Sequence, residues 1–108
     1  MLDFRVVQDA EEDIDQAAAV YELDVPGRGA RFVRAYLQAL DQAREFPHTG
    51  ERVPDHVTGA HEVRGLPLTH FPYTLYTTVL AERLVVIAVA HQRRLPRFWL
   101  ERLAKVTP

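Results

Sequence analysis

The chain contains no cysteine and no serine among its 108 residues. Without thiols it can form neither disulfides nor thiolate metal sites, and it has no cysteine nucleophile. Without serine, a Ser-His-Asp triad is impossible. The longest apolar run, Leu84–Ala90, has seven residues, whereas a bilayer-spanning helix needs roughly 20. These absences favour a cytoplasmic protein with no membrane contact.

The sequence also lacks the spacing patterns of metal and cofactor sites. Its five histidines are dispersed along the chain, and no two of them have the His-x-x-x-His spacing of a helical metal site. It contains neither a Gly-x-Gly-x-x-Gly fingerprint nor a phosphate-binding loop. We therefore expect neither a metal nor an organic cofactor.

The net charge of −2 is unevenly distributed along the chain. The segment Asp9–Asp24 has seven carboxylates and no basic residue, while the second half of the chain has an excess of arginine. Non-specific nucleic-acid affinity comes mainly from neutralised phosphates, so the overall charge disfavours it. Arg93, Arg94 and Arg97 form a local basic cluster that suits an anionic partner, although Arg93 and Arg94 are also suited to pairing with the acidic segment.

The first half of the chain predicts one strand and two helices. Apolar and charged residues alternate over residues 2–6, which is the pattern of a half-buried strand. Asp9, with Glu12 three residues later, predicts the N-cap of a first helix. Val25-Pro26-Gly27 ends that helix, and a second amphipathic helix is predicted over residues 29–44.

The second half predicts a loop, three strands and a short helix. Residues 51–61 have the composition of a loop, and the strands are predicted at His61–Gly65, Tyr73–Leu80 and Arg83–Ala90. The last strand lacks alternation and suits a position covered on both faces. Pro96 predicts the start of a C-terminal helix. The resulting order, β-α-α-β-β-β-α, fits one domain over residues 1–108.

Several short motifs follow one another along the chain between Pro47 and Trp99. A Pro-x-x-Gly turn, Pro47-His48-Thr49-Gly50, follows the helical hairpin, and Arg64 lies on the next strand. Phe71-Pro72-Tyr73 leads into the following strand, and the last strand runs into the segment 89–99, which contains His91-Gln92-Arg93-Arg94 and Trp99. In this order the chain resembles the RelE/ParE superfamily of type II toxin–antitoxin toxins, in particular the ParE-like plasmid-stabilisation branch.

The resemblance implies an α+β fold in which the helical hairpin packs on a mainly antiparallel four-stranded sheet. It also implies a cytoplasmic toxin that a cognate antitoxin neutralises, with DNA contacted only through that antitoxin. ParE-like members poison DNA gyrase by binding it, whereas RelE-like members cleave mRNA on the ribosome.

The sequence favours the binding toxin over the ribonuclease. RelE-like cleavage needs cations on the scissile phosphate and an acid–base pair, for which Arg64, His91, Arg93 and Arg94 are the candidates. However, the cleaving members usually carry an arginine on the strand that here reads Tyr73-Thr74-Leu75-Tyr76, and they are strongly basic. A non-toxic antitoxin-binding module is a third alternative.

Partner contacts are expected from Tyr73, Arg94, Arg97 and Trp99. Tyr73 and Tyr76 point to opposite faces of one strand, and Tyr73 is the better site candidate because it follows the Phe-Pro turn. Each of these side chains also has a plain structural interpretation: His91 as a backbone-bonded histidine, the arginines as solvated charges, and Trp99 as a packing residue.

Overall fold

The structure is a computed structural model that describes residues 1–59, 61–94 and 96–106, and leaves the side chains of Asp55, His56, Pro96 and Arg97 undescribed. The α+β class predicted from the sequence is confirmed. The elements follow in the order β1 (Phe4–Val6), α1 (Gln8–Asp24), α2 (Arg28–Glu45), β2 (Glu51–Arg52), α3 (Asp55–Thr58), β3 (Val63–Pro67), β4 (Tyr73–Leu80), β5 (Arg83–His91), a 3-10 helix (Pro96–Trp99) and α4 (Leu100–Lys105).

Within the described residues the sheet has five strands in the order β1-β5-β4-β3-β2, one more than predicted. All neighbouring strands are antiparallel except β1 and β5, which are parallel. The additional strand, β2, lies in the segment predicted as a loop. Its two residues, Glu51 and Arg52, are both exposed, so no apolar alternation marks them, and their pairing with β3 depends on the rest of the sheet.

Strand β5 is covered on both faces, as its continuous apolar sequence predicts. Every residue of Leu84–Ala90 is at most 5% exposed. On one face Val86 and Val89 pack in a core with the hairpin helices α1 and α2. On the other face Val85 and Ile87 pack in a second core against the C-terminal helical segment. The hairpin and the C-terminal segment thus enclose the sheet from opposite sides.

The turn of the helical hairpin depends on two glycines and one carboxylate. Gly27 has φ 87°, a left-handed conformation that favours glycine. The Glu22 carboxylate accepts hydrogen bonds from the backbone N–H groups of Gly27 at 2.9 Å and Gly29 at 3.1 Å. A Cβ at Gly29 would lie 2.6 Å from the Ala18 carbonyl oxygen, so the close approach of the two helices requires glycine there. Neither hairpin helix, nor any other described helix, is long and apolar enough to cross a membrane.

The prediction that Asp9 is the N-cap of the first helix is wrong. Helix α1 begins at Gln8, and its cap position is Val7, which makes no side-chain capping bond. Val7 instead donates its backbone N–H to Val86 of β5 at 3.2 Å. The helix start is therefore set by the end of strand pairing, and Asp9 lies in the first turn, where a carboxylate is favourable to the helix dipole.

Candidate functional site

A surface groove of about 230 Å³ lies between α1 and the C-terminal end of β5. It is lined by Asp13, Gln16, Ala17, Val20, Tyr73, Val89, Ala90, His91 and Arg94. We call it the strand-end groove. It brings together three of the residues predicted from the sequence, namely Tyr73, His91 and Arg94.

The two strands β4 and β5 position the aromatic part of the groove. Tyr73 is the register partner of His91, and their ring centroids lie 5.3 Å apart in an edge-on arrangement. Tyr73 also packs edge-on against Phe32 at 5.0 Å. Burial, with a smaller effect of Tyr21, raises the pKa of Tyr73, so its phenol stays protonated and can act as a hydrogen-bond donor.

The turn after β5 positions the imidazole and one guanidinium. His91 Nδ1 accepts a hydrogen bond from the Arg93 backbone N–H at 3.1 Å, which leaves Nε2 as the ring nitrogen available to a ligand. The Arg94 guanidinium lies 3.8 Å from the ring centroid of Phe98, a cation–π contact that restrains it. Arg93 is exposed, and its side chain bonds to no described residue.

The edge of β5 is open where it borders this groove. Strand β1 pairs only with Leu84–Val86, and no described strand continues along that side of β5. Tyr73 directs its N–H to the Phe71 carbonyl and its C=O to the Leu68 N–H. Tyr73 and His91 are therefore a non-hydrogen-bonded pair, and the antiparallel alternation points the N–H of His91 away from β4, toward the open side.

An ion pair occupies the first part of this open edge. Arg102 of α4 donates two hydrogen bonds to the Asp13 carboxylate, at 2.7 and 3.1 Å. Arg102 also donates to the Ile87 carbonyl at 2.9 Å, and Asp13 accepts from the Val89 N–H at 3.1 Å. Arg102 thus pairs with the acidic helix, and it was not predicted from the sequence because the last helix showed no pattern beyond its apolar positions.

Arg64 does not join the strand-end groove. Its register partner on β4 is Thr77, which lies four residues from Tyr73, the register partner of His91. Arg64 and His91 are also on strands separated by β4, so strand geometry places them about 16 Å apart. Arg64 bonds to the Glu62 carboxylate at 2.8 Å and to the Gly50 carbonyl at 3.4 Å, while its buried Nε has no hydrogen-bond partner in the part of the chain that the structure describes. The hydrogen bond from Arg64 is the main cause that lowers the pKa of Glu62. The structure therefore favours a structural role for Arg64.

The predicted partner contact of Trp99 needs a correction, and that of Arg97 stays a prediction. Trp99 is 0% exposed, and its ring lies 4.9 Å from that of Tyr76 in the core between the sheet and the C-terminal segment. Its large apolar surface holds the last helix on the sheet, so it does not form a partner contact on the surface. The expectation for Arg97 concerns a side chain that lies outside the described residues.

The arrangement is suited to binding. The groove combines an apolar floor, one restrained guanidinium, a neutral phenol and an imidazole beside an open strand edge. An extended peptide could pair with such an edge while its side chains contact the floor. Within the described ranges, no three His, Asp or Glu side chains are grouped so that they could hold a metal ion.

Comparison with known proteins identifies the family. A family model described as "ParE toxin of type II toxin-antitoxin system, parDE" matches residues 4–96. The chain belongs to this ParE toxin family. It is a type II toxin of the ParE kind, as the order of its sequence motifs indicated.

Nine chains of solved structures also match. One of them belongs to a structure described as the chromosomal ParDE toxin–antitoxin system from P. aeruginosa, with a TM-score of 0.70 and 18% identity. The match covers 84% of this chain and 96% of that one. At this identity the likeness shows a shared fold. Comparison with curated proteins gives no match.

Proposed function

We propose that this ParE-type toxin acts by binding a cellular target, DNA gyrase, and that a cognate antitoxin neutralises it. Its place of action is the cytoplasm, and it contacts DNA only through the antitoxin. The family match supports this proposal, as does a net charge of −2, which disfavours direct binding to nucleic acid. Residues 1–108 act as one domain.

The observation that carries the binding mode is the open edge of β5 at the strand-end groove. A segment of the antitoxin adds there as an extended strand that pairs with the His91 N–H, beyond the Val89 N–H that Asp13 occupies, and its side chains contact the apolar floor. Val20, which is 65% exposed at the groove, supplies apolar surface for that contact. Tyr73 and Arg94 add a phenol donor and a cation within the same groove.

A ribosome-dependent mRNA endoribonuclease is the second candidate. It is favoured by the position of His91 beside Arg93 and Arg94 at one exposed turn. It is disfavoured by the separation of Arg64 from that turn, since a phosphoryl transition state needs its cations and its acid–base groups at the same atoms. The strand β4 also supplies no cation to the groove.

Two assays separate these functions. Expression without antitoxin should arrest growth and induce a DNA-damage response, and purified toxin should inhibit gyrase supercoiling. Unchanged supercoiling would contradict gyrase as the target. Primer extension on a translated message should show no new 5′ ends on induction, whereas new ends would establish the ribonuclease. Harmless overexpression with tight antitoxin binding would identify a non-toxic module.

A further inference from the structure

A second groove, of about 410 Å³, lies between α2 and the turn that joins β3 to β4. Helix α2 contributes Arg28, Arg31, Arg34 and Gln38, and the turn contributes Thr69 and His70. We call it the α2 basic groove. None of its residues lines the strand-end groove.

The helical spacing of the three arginines forms a continuous basic stripe. Arg28, Arg31 and Arg34 recur every three residues, so they lie along one face of α2. From Arg28 to Gln38 the helix rises about 15 Å. That length equals about five residues of an extended peptide, in which side chains on one face recur about every 7 Å.

The charges of the stripe are only partly neutralised. Arg28 pairs with Asp24 at 2.8 Å and lies 4.9 Å from the ring centroid of Tyr21. Arg31 and Arg34 are exposed, and neither side chain forms a hydrogen bond or an ion pair with any described residue. Two guanidinium groups are therefore free to bind a ligand beside one that is already fixed.

The backbone N–H groups at the N-terminus of α2 do not form this site. The Glu22 carboxylate already accepts the backbone N–H groups of Gly27 and Gly29 at that terminus. The opposite wall is the β3–β4 turn, where His70 has φ 69°. The groove thus consists of side chains held between a helix face and a constrained turn.

We propose that the α2 basic groove binds a carboxylate-rich peptide segment of a protein partner. Guanidinium groups match carboxylates through paired N–H···O bonds. Within the length of the stripe, two or three carboxylates on one face of an extended segment reach the Arg31 and Arg34 guanidinium groups and the part of the Arg28 guanidinium that Asp24 does not occupy. Gln38 and Thr69 provide hydrogen-bonding groups for the peptide backbone.

The surroundings favour a short acidic peptide over a nucleic acid. The adjacent helix α1 belongs to the segment Asp9–Asp24, which has seven carboxylates, and Asp41 and Glu45 are exposed further along α2. A long polyanion would be repelled on leaving the groove. Three contacts with phosphates would also give only weak, salt-sensitive binding. A short peptide with a few carboxylates ends within the groove and so avoids the repulsion by these acidic residues, although salt also screens its own ion pairs.

The test is fluorescence anisotropy with a labelled peptide that carries four glutamates on alternate residues. The control peptide has glutamine at those four positions, and an oligonucleotide of similar length is the competitor. The double variant Arg31→Glu/Arg34→Glu removes the two free cations. The double variant Arg5→Glu/Arg83→Glu makes the same change in net charge at two exposed arginines that lie outside both grooves and whose side chains bond to no described residue.

We expect the glutamate peptide to bind and the glutamine peptide to bind far more weakly. Arg31→Glu/Arg34→Glu should weaken binding at least about tenfold, while Arg5→Glu/Arg83→Glu changes it by less than about twofold. Equal losses in both double variants would overturn the proposal, because only net charge would then matter. Unchanged binding in Arg31→Glu/Arg34→Glu would overturn it too, as would tighter binding of the oligonucleotide through the same arginines. Circular dichroism of each variant shows that it is folded.

Discussion

Arg102 and Asp13 form a two-point ion pair that closes the first part of the exposed edge of β5. Each partner also bonds to the strand backbone, Arg102 to the Ile87 carbonyl and Asp13 to the Val89 N–H. Helices α1 and α4 are thereby linked through the strand between them. Beyond this pair the His91 N–H faces the open side, while the His91 carbonyl accepts the Arg94 N–H at 2.9 Å, so the pair marks where the available binding edge begins.

Loss of either member of this pair should destabilise the protein. Both side chains are only about one-eighth exposed, at 13% for Arg102 and 12% for Asp13. Asp13→Ala leaves the Val89 N–H without a partner. It also leaves the desolvated Arg102 guanidinium with only the Ile87 carbonyl and the more distant Asp9 carboxylate, at 3.7 Å. We expect a cost of about 2–4 kcal/mol in the free energy of unfolding. Urea denaturation measures this loss of unfolding free energy.

The exposed pair between Asp24 and Arg28 is the matched control for this prediction. Its side chains are 64% and 39% exposed, so Asp24→Ala should cost no more than about 0.5 kcal/mol. In a double-mutant cycle, Asp13→Ala and Arg102→Ala should couple by more than about 1 kcal/mol. Additive single effects would contradict the structural role of the pair.

The hairpin turn between β4 and β5 is built from unfavourable residues. Leu80 pairs with Arg83, so Ala81 and Glu82 are the two turn residues, and both have positive φ, at 50° and 61°. Such a turn prefers Asn-Gly. We expect Ala81→Asn/Glu82→Gly to raise the free energy of unfolding by about 1 kcal/mol. Thermal unfolding measures the gain, and a decrease in melting temperature would mean that the turn is of another type.

This turn and β2 show how far the sequence predicts the fold. The hairpin was predictable because two long apolar strands flank a polar dipeptide, although its left-handed backbone was not, since Ala and Glu rarely adopt it. Strand β2 has no pattern of its own. In the site, Tyr73 and His91 were found because they flank strand ends, whereas Arg102 was missed because long-range pairing across the sheet leaves no local signal.

Trp99 should tolerate phenylalanine better than alanine. Its ring is fully buried against Tyr76, but its Nε1–H has no hydrogen-bond partner among the described residues. Trp99→Ala leaves a large cavity and should cost about 3–5 kcal/mol. Trp99→Phe retains a ring and also removes a buried, unpaired donor, so we expect about 1 kcal/mol.

Phe32 is the control for this comparison because its ring is also fully buried and carries no polar atom. Phe32→Leu should cost about 1–2 kcal/mol through repacking alone. Chemical denaturation of the three variants gives the comparison. A cost of more than about 3 kcal/mol for Trp99→Phe would mean that the indole N–H has a partner in solution.

Stability should decline at alkaline pH through Tyr36. Burial, with a smaller contribution from Glu11, raises the pKa of Tyr36 from 10.0 to about 12. Between these values the unfolded chain loses the phenol proton while the folded protein keeps it. The free energy of unfolding therefore falls as the pH rises from 10.0 toward 12.

Tyr36→Phe should make this decline shallower, as urea titrations at several alkaline pH values would show. Part of the decline should persist in the variant, because burial raises the pKa of Tyr73 and Tyr76 in the same direction. An unchanged slope in Tyr36→Phe would show that Tyr36 ionises alike in both states.

The strand-end groove can be tested with two exposed apolar residues of α1. Val20 lines the groove and is 65% exposed, whereas Leu23 is 89% exposed and lies outside it. If an antitoxin strand occupies the groove, Val20→Glu places a carboxylate against its apolar side chains and should weaken antitoxin binding by about tenfold or more. Leu23→Glu makes the same chemical change and should leave the affinity within about twofold.

The measurements are titration calorimetry with the cognate antitoxin and growth during co-expression, in which the Val20→Glu toxin should escape neutralisation. Equal effects of the two variants would place the antitoxin elsewhere on the toxin, because the groove is then no more sensitive than the exposed end of the helix.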